Sequence, residues 1–258
     1  MTLLDVKELT KNFGGLTAVS NVTMHLNDDE LVALIGPNGA GKTTLFNLLT
    51  GQIIPSEGTI ALQTDNGLQI LNKAKPYKVA QAGLARTFQN IRLFSEMTVL
   101  DNVLIAMTAK NKEGFFESVL RFPSFYKKED ALRKEAIDLL AIFDMQDQID
   151  NIAKNLPYGA QRRLEIVRAL ATKPKILFLD EPAAGMNPEE TADLTSLIRK
   201  IQREFHITVL LIEHDMSLVM NIAQRIYVLE YGQLIAEGTP TEIQQNERVI
   251  KAYLGGES

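Results

Sequence analysis

The sequence predicts an α/β fold of parallel strands joined through helices, with an antiparallel β segment at the N-terminus and a helical subdomain inserted between two halves. Three observations lead there. Short apolar runs at 31–35, 176–179, 209–212 and 226–229 have the length of strands buried on both faces. Helical patterns such as 191–205 separate the later runs, the alternation expected of strands paired in parallel. From about 90 to 155 the chain is rich in helix-favouring residues and carries no strand pattern.

Taken in order, 3–9 and 22–26 read as short strands of a hairpin or small sheet; Val22, Met24 and Leu26 alternate with Thr23 and His25. The continuous apolar run 31–35 follows, then glycine-rich sequence, then helical spacing over 44–50 that stops at Gly51. Within the helical subdomain, 114–126 gathers Phe115, Phe116, Phe122, Phe125 and Tyr126 around Pro123, a set that suits a small packed cluster or a partner-docking surface. A helix is expected over 161–172, with Arg162, Arg163 and Arg168 on it.

With 258 residues and 45% of them hydrophobic, the chain is large enough for a continuous core and reads as one domain, 1–258. No apolar stretch approaches the roughly 18 residues of a spanning helix. Residues 1–9 include Asp5, Lys7 and Glu8, so they do not form a secretory signal, and residence in the cytoplasm is the expectation. A net charge of −5 lacks the basic footprint of a nucleic-acid binder, so no nucleic-acid partner is expected.

The strongest local pattern is Gly36-Pro37-Asn38-Gly39-Ala40-Gly41-Lys42-Thr43, which fits G-x-x-x-x-G-K-[ST] between a strand and a helix. Glycines let backbone N–H groups converge on phosphate oxygens, and the following helix adds the positive end of its dipole. Lys42 suits the β and γ phosphates, and the Thr43 hydroxyl suits a Mg²⁺ ion that bridges them. Thr44 continues the loop as a further nucleotide-contacting candidate. Later, the run 176–179 leads into Asp180 and Glu181. Carboxyl ends of parallel strands are where such folds bind ligands. Asp180 is therefore the candidate to hold the metal, and Glu181 the candidate to align and deprotonate an attacking water.

With these motifs in place, the chain resembles the ATP-binding-cassette (ABC) ATPases, and the remaining signals follow that family's order. The resemblance implies a P-loop NTPase fold that binds ATP with Mg²⁺. It makes Gln89, in Thr87-Phe88-Gln89-Asn90, the residue that senses metal and γ phosphate. It makes His214, in Glu213-His214-Asp215, the switch histidine that stabilises the transferring charge. Phe13, before the Gly14-Gly15 turn, matches the aromatic that stacks on adenine, with Val19 as its apolar neighbour. The family signature, usually Leu-Ser-Gly-Gly-Gln, here reads Leu156-Pro157-Tyr158-Gly159-Ala160. Pro157 has neither the hydroxyl nor the N–H of the family's serine. Gly159 and the N-terminus of the next helix can still approach the opposite subunit's ATP, so that contact is carried to Gly159 and not to Pro157. Ala184-Gly185-Met186-Asn187 matches the loop that crosses the dimer interface, with Asn187 making the crossing.

Within the family, residues 87–94, 97–103, the Arg162-Arg163-Leu164-Glu165-Ile166 block and the tail 249–255 look most like the ATPases of branched-chain amino-acid importers. That likeness implies a head-to-tail pair with a second ABC ATPase and two transmembrane permease subunits. It further implies an external solute-binding protein that acts indirectly, and a peripheral position on the inner face of the cell membrane.

Overall fold

In a computed structural model the protein is described over residues 1–65, 67–108 and 123–254, the side chains of 123–127 and 254 excepted. The aromatic residues Phe115, Phe116, Phe122, Phe125 and Tyr126 therefore lie outside the described residues or side chains. The chain divides into two compact units, residues 1–86 with 175–258, and residues 87–174.

The first unit contains two sheets. Strands β1 (Thr2–Phe13) and β2 (Leu16–Asn27) form an antiparallel hairpin, extended by β4 (Glu57–Thr64) and β5 (Gly67–Ile70) in the order β2-β1-β4-β5. The hairpin strands run well beyond the expected 3–9 and 22–26, because register shifts between Val6 and Lys11 let pairing continue where the apolar alternation lapses. The second sheet contains β3 (Leu31–Ile35), β6 (Leu84–Arg86), β7 (Ile176–Asp180), β8 (Thr208–Ile212), β9 (Arg225–Glu230) and β10 (Gln233–Gly238). Its order is β10-β9-β3-β8-β7-β6, parallel throughout except for the β9–β10 hairpin. All residues of β3, β7 and β8 are buried, as their unbroken apolar runs require.

Strands β4, β5, β6 and β10 escape the sequence reading. They are short or only half-buried, and the clearest missed cue is the Tyr231-Gly232 turn before β10. There both residues have positive φ, 45° and 77°, the backbone of a tight two-residue hairpin.

Helix α1 (Lys42–Leu49) follows β3, and α2 (Pro76–Gln81) precedes β6. Leu45, Phe46, Leu48 and Leu49 of α1 enter a core with Val32, Leu34, Phe178, Leu210 and Leu229. Each such side chain, fully buried, contributes about 1.5–3 kcal/mol. Phe46 meets Phe178 edge-on, with ring centroids 5.1 Å apart. Helix α6 (Pro188–Phe205) begins earlier than the expected 191 because Asn187 and Glu190 close a reciprocal capping box, both bonds 3.0 Å. Helices α7 (Met216–Ile222), α8 (Pro240–Gln244) and α9 (Glu247–Leu254) complete this unit.

The second unit is helical, and its span of 87–174 is wider than the expected 90–155. It holds α3 (Val99–Thr108), α4 (Pro123–Ile142) and α5 (Tyr158–Leu170). Helix α5 starts at Tyr158 rather than near Gln161, with Pro157 as its N-cap residue. Proline has no N–H to lose there, and its fixed φ suits a helix entrance. The fully buried Asn102 organises the turn before α3: its side chain donates to the carbonyls of Phe94 and Thr98 and accepts from the Phe94 amide.

Arg225 ties the two sheets of the first unit together. Its guanidinium grips Glu30 at 2.7 and 2.8 Å, donates to Glu237 at 2.6 Å and reaches the His25 carbonyl at 2.9 Å. Burial alone would raise the pKa of Glu30, but the Arg225 and Asn27 donors outweigh it and hold the carboxyl below its ordinary 4.5. A depressed carboxyl pKa stabilises the fold above the unfolded value, and that stability is lost as pH falls through the folded value. Glu30→Gln is therefore expected to lower unfolding stability by about 2 kcal/mol at neutral pH. The gap to the wild-type protein should close below about pH 4, as denaturant titrations at the two pH values will show.

Candidate active site

Five strands end at one edge of the parallel sheet, and the loops beyond them carry the chemistry-bearing residues of the first unit. The phosphate loop leaves β3 between β8 and β9. Two of its glycines are required by close backbone approach. A Cβ on Gly36 would lie 2.0 Å from the Leu229 carbonyl oxygen, and one on Gly41, at φ 100°, would lie 2.5 Å from that of Ala18. Gly232 completes the cradle, accepting from Ser20 and donating to Ala40, both at 2.8 Å.

Lys42 is buried, and its ammonium donates to the carbonyls of Gly36 at 2.6 Å and Pro37 at 3.0 Å. Burial lowers its pKa, and the charge of Glu181 partly restores it. The cation thus folds back onto the start of a loop whose Gly39 and Gly41 hold left-handed backbone. Thr43 and Thr44 occupy the first turn of α1, Thr43 exposed. Asn38 and Gly39 are exposed and Ala40 is buried.

Asp180 closes β7 and is 5% exposed. Its Oδ2 accepts from Arg86 at 3.1 Å, and Arg86 also donates to Asn47 at 2.8 Å and to Thr50 at 3.0 Å on the phosphate-loop helix and its cap. Thr43 and Asp180 supply a hydroxyl and a carboxylate, hard oxygen donors suited to Mg²⁺ that keeps several of its waters. Among the described residues no cluster of three or more acidic or histidine side chains could hold a metal by itself. A partly hydrated ion shared with phosphate needs no such cluster.

Glu181 adopts φ 47°, left-handed backbone that costs a non-glycine residue about 1–2 kcal/mol. Its carboxylate Oε1 accepts from His214 Nε2 at 2.6 Å, so the structure brings together the two residues that the sequence assigns to water activation and charge stabilisation. His214 is about half exposed, and Glu181 mostly buried. The buried Glu213 accepts from the amides of Ala183 at 2.8 Å and His214 at 3.0 Å.

Phe13 stands 47% exposed at the end of β1, with the Lys11 ammonium 5.0 Å from its ring centroid. Val19, on β2 of the same hairpin, is fully buried and packed in the core. A cleft of about 490 Å³ borders Pro37, Asn38, His214 and Tyr231, and the last helix closes it with Lys251 and Tyr253. Burial raises the pKa of the Tyr253 phenol, partly offset by the Gly36 amide. Nothing local in the sequence marks Arg86, Glu213 or Tyr253 for these places, which depend on strand neighbours and helix packing.

In the helical unit, Gln89 keeps an exposed side chain while its backbone is clamped. Arg162 of α5 donates to the Phe88 carbonyl at 2.7 Å and to the Gln89 carbonyl. Glu165 accepts from the amides of Arg92 at 3.2 Å and Phe88 at 3.4 Å. Both residues are 2% exposed and their side chains pair at 3.4 Å, so Arg162 is an interior residue. The Tyr158 hydroxyl accepts from Arg162 at 3.0 Å, linking the clamp to the first residue of α5. Gly159, the expected contact to an opposing ATP, is buried in that first turn, whereas Pro157 and Tyr158 are exposed. Asn187 is exposed, with its side-chain oxygen engaged as the cap of α6.

The description "ABC transporter" matches residues 19–184, and "Branched-chain amino acid ATP-binding cassette transporter" matches residues 233–258. The chain is 48% identical over 253 residues to the high-affinity branched-chain amino acid transport ATP-binding protein LivG of Escherichia coli (strain K12), covering 98% of each chain. It is 46% identical over the same length to the corresponding protein BraF of Pseudomonas aeruginosa, again covering 98% of each. Among solved structures, an ATP-binding cassette of an ABC transporter in its ADP conformation superposes with a TM-score of 0.83 at 31% identity, covering 99% of both chains. Phosphate loop, paired carboxylate and histidine, and full-length relatedness agree: this chain belongs to the ATP-binding cassette family of ABC transporters.

Proposed function

We propose that the chain is the ATP-hydrolysing subunit of an importer for branched-chain amino acids, acting with a second ABC ATPase beneath two transmembrane permease subunits. An external solute-binding protein would deliver the cargo. No helix among the described residues is long and apolar enough to cross a membrane, in keeping with an engine that sits peripherally on the inner face under its permeases. The reading rests above all on the 2.6 Å Glu181–His214 pair at the same sheet edge as the Lys42 loop.

In this mechanism Phe13 stacks on adenine, and residues 36–44 wrap the phosphates with backbone amides. Lys42 exchanges its loop carbonyls for phosphate oxygens as the nucleotide enters. Thr43 and Asp180 would hold Mg²⁺, whose chemistry is to neutralise charge on the β and γ phosphates. Glu181 accepts a proton from the attacking water, and His214 orients that carboxylate and stabilises charge on the departing phosphoryl group. The first turn of α5 with Gly159, and the loop ending at Asn187, would complete the partner subunit's site. Within the helical unit, the Arg162–Glu165 clamp ties the backbone around Gln89 to the helix that bears Gly159.

In the assembled transporter, Glu181→Gln is expected to lower turnover by at least about a hundredfold while ATP affinity stays within about twofold. Cells carrying it should lose leucine, isoleucine and valine uptake. Near-normal hydrolysis would remove Glu181 from its role, and retained uptake without this chain would reject the transport assignment. Lys42→Ala should instead weaken ATP binding itself by roughly ten- to a hundredfold, measured by fluorescent-nucleotide titration. Pro157→Ser restores a donor toward the partner's γ phosphate and should raise turnover by about two- to tenfold in steady-state assays.

A further inference from the structure

Glu213 is a buried acid that the mechanism above leaves without a task. It follows β8 directly, is 4% exposed, and sits one residue before His214. Burial raises its pKa, and the nearby charge of Glu181 adds to that, while the amides of Ala183, His214 and Asp215 favour the ionised form. A carboxylate placed at such cost needs a compensating use.

That use is visible in how the turn after β7 is held. The Glu181 amide donates to the Ile212 carbonyl at 2.9 Å, Pro182 has no amide hydrogen, and the Ala183 amide donates to Glu213 Oε1 at 2.8 Å. The backbone amides of 181–183 thus go to the end of β8. The other oxygen of Glu213 accepts from the His214 amide at 3.0 Å. One side chain therefore bridges the loop that bears Glu181 and the residue that bears the histidine. Between its two anchors, Glu181 keeps the left-handed φ of 47°. Left-handed backbone in a non-glycine residue persists only where surrounding contacts over-determine it.

We propose that Glu213 is a positioning residue for ATP hydrolysis: its two carboxylate oxygens fasten the Glu181 turn to the His214 backbone and so fix the 2.6 Å contact between the two side chains. The proposal rests on the reading of Glu181 as the base. A two-oxygen acceptor is required because both anchors are N–H donors. A carboxamide presents one acceptor and turns a donor against the other amide. Aspartate keeps the charge but is one methylene too short to span both anchors.

The test measures Mg-ATP hydrolysis, ATP affinity and thermal midpoint for the full chain in its assembled transporter, with Glu213→Gln, Glu213→Asp and Glu181→Gln in parallel. Glu213→Gln should lower kcat per folded chain by about ten- to a hundredfold, with ATP affinity within about twofold. Glu213→Asp should also lose rate, and it carries the test if the glutamine variant does not fold. Adding Glu213→Gln to Glu181→Gln should cost nothing further, because a residue that acts only through Glu181 has no effect once the base is gone. An unchanged kcat in both Glu213 variants, a loss confined to ATP affinity, or an additive double variant would overturn the proposal. If Glu181→Gln hydrolyses at the wild-type rate, it is the underlying assignment of the base that fails.

Discussion

Parallel pairing forces the carboxyl ends of β9, β3, β8, β7 and β6 to a common edge, and nearly everything this protein can do in its first unit depends on that constraint. A strand that reversed direction would carry its following loop to the opposite edge. Because none of the five does, Gly36, Glu181, His214 and Arg86 emerge from four different strands onto one line although they are up to 178 residues apart in the chain. The strands can lie so deep because they are apolar on both faces. Burial of β3, β7 and β8 makes the edge rigid enough for ångström-scale contacts between residues at neighbouring strand ends.

Along that edge, polar groups find partners across loops. Arg86 bonds Asp180 and, through Asn47 and Thr50, the helix behind the phosphate loop; Glu213 bonds two loops at once. Such ties cost desolvation, and they are retained where a single geometry matters more than stability. The strained Glu181 backbone belongs to the same economy of contacts, being fastened on either side to the end of β8.

The helical unit uses the same device in another form. Arg162 and Glu165 lie one turn apart on α5 and grip carbonyls and amides of 88–92, so a polar pair inside the unit fixes backbone while leaving the Gln89 side chain outward. Tyr158, standing where the family has glycine, extends this grip to the start of the helix. The departure from the family signature at Pro157 is locally sound, since a proline entering a helix forfeits no hydrogen bond.

Much of this was legible in the chain itself. The phosphate loop, the Asp180-Glu181 pair, the apolar strands and the N-terminal hairpin are encoded by residue type and period within a few neighbours, and local rules suffice to read them. Short or half-buried strands such as β5 and β6 were not, because their pairing, and not their own pattern, makes them strands. The burial of Val19 likewise depends on which face of β2 meets the core, and the start of α5 on the backbone that Pro157 adopts. Tertiary structure alone decided that Glu213 would bridge two loops, that Arg86 would reach Asp180 across 94 residues, and that Arg162 would be interior. Each of those depends on strand order and helix packing, which bring together groups that no local spacing connects.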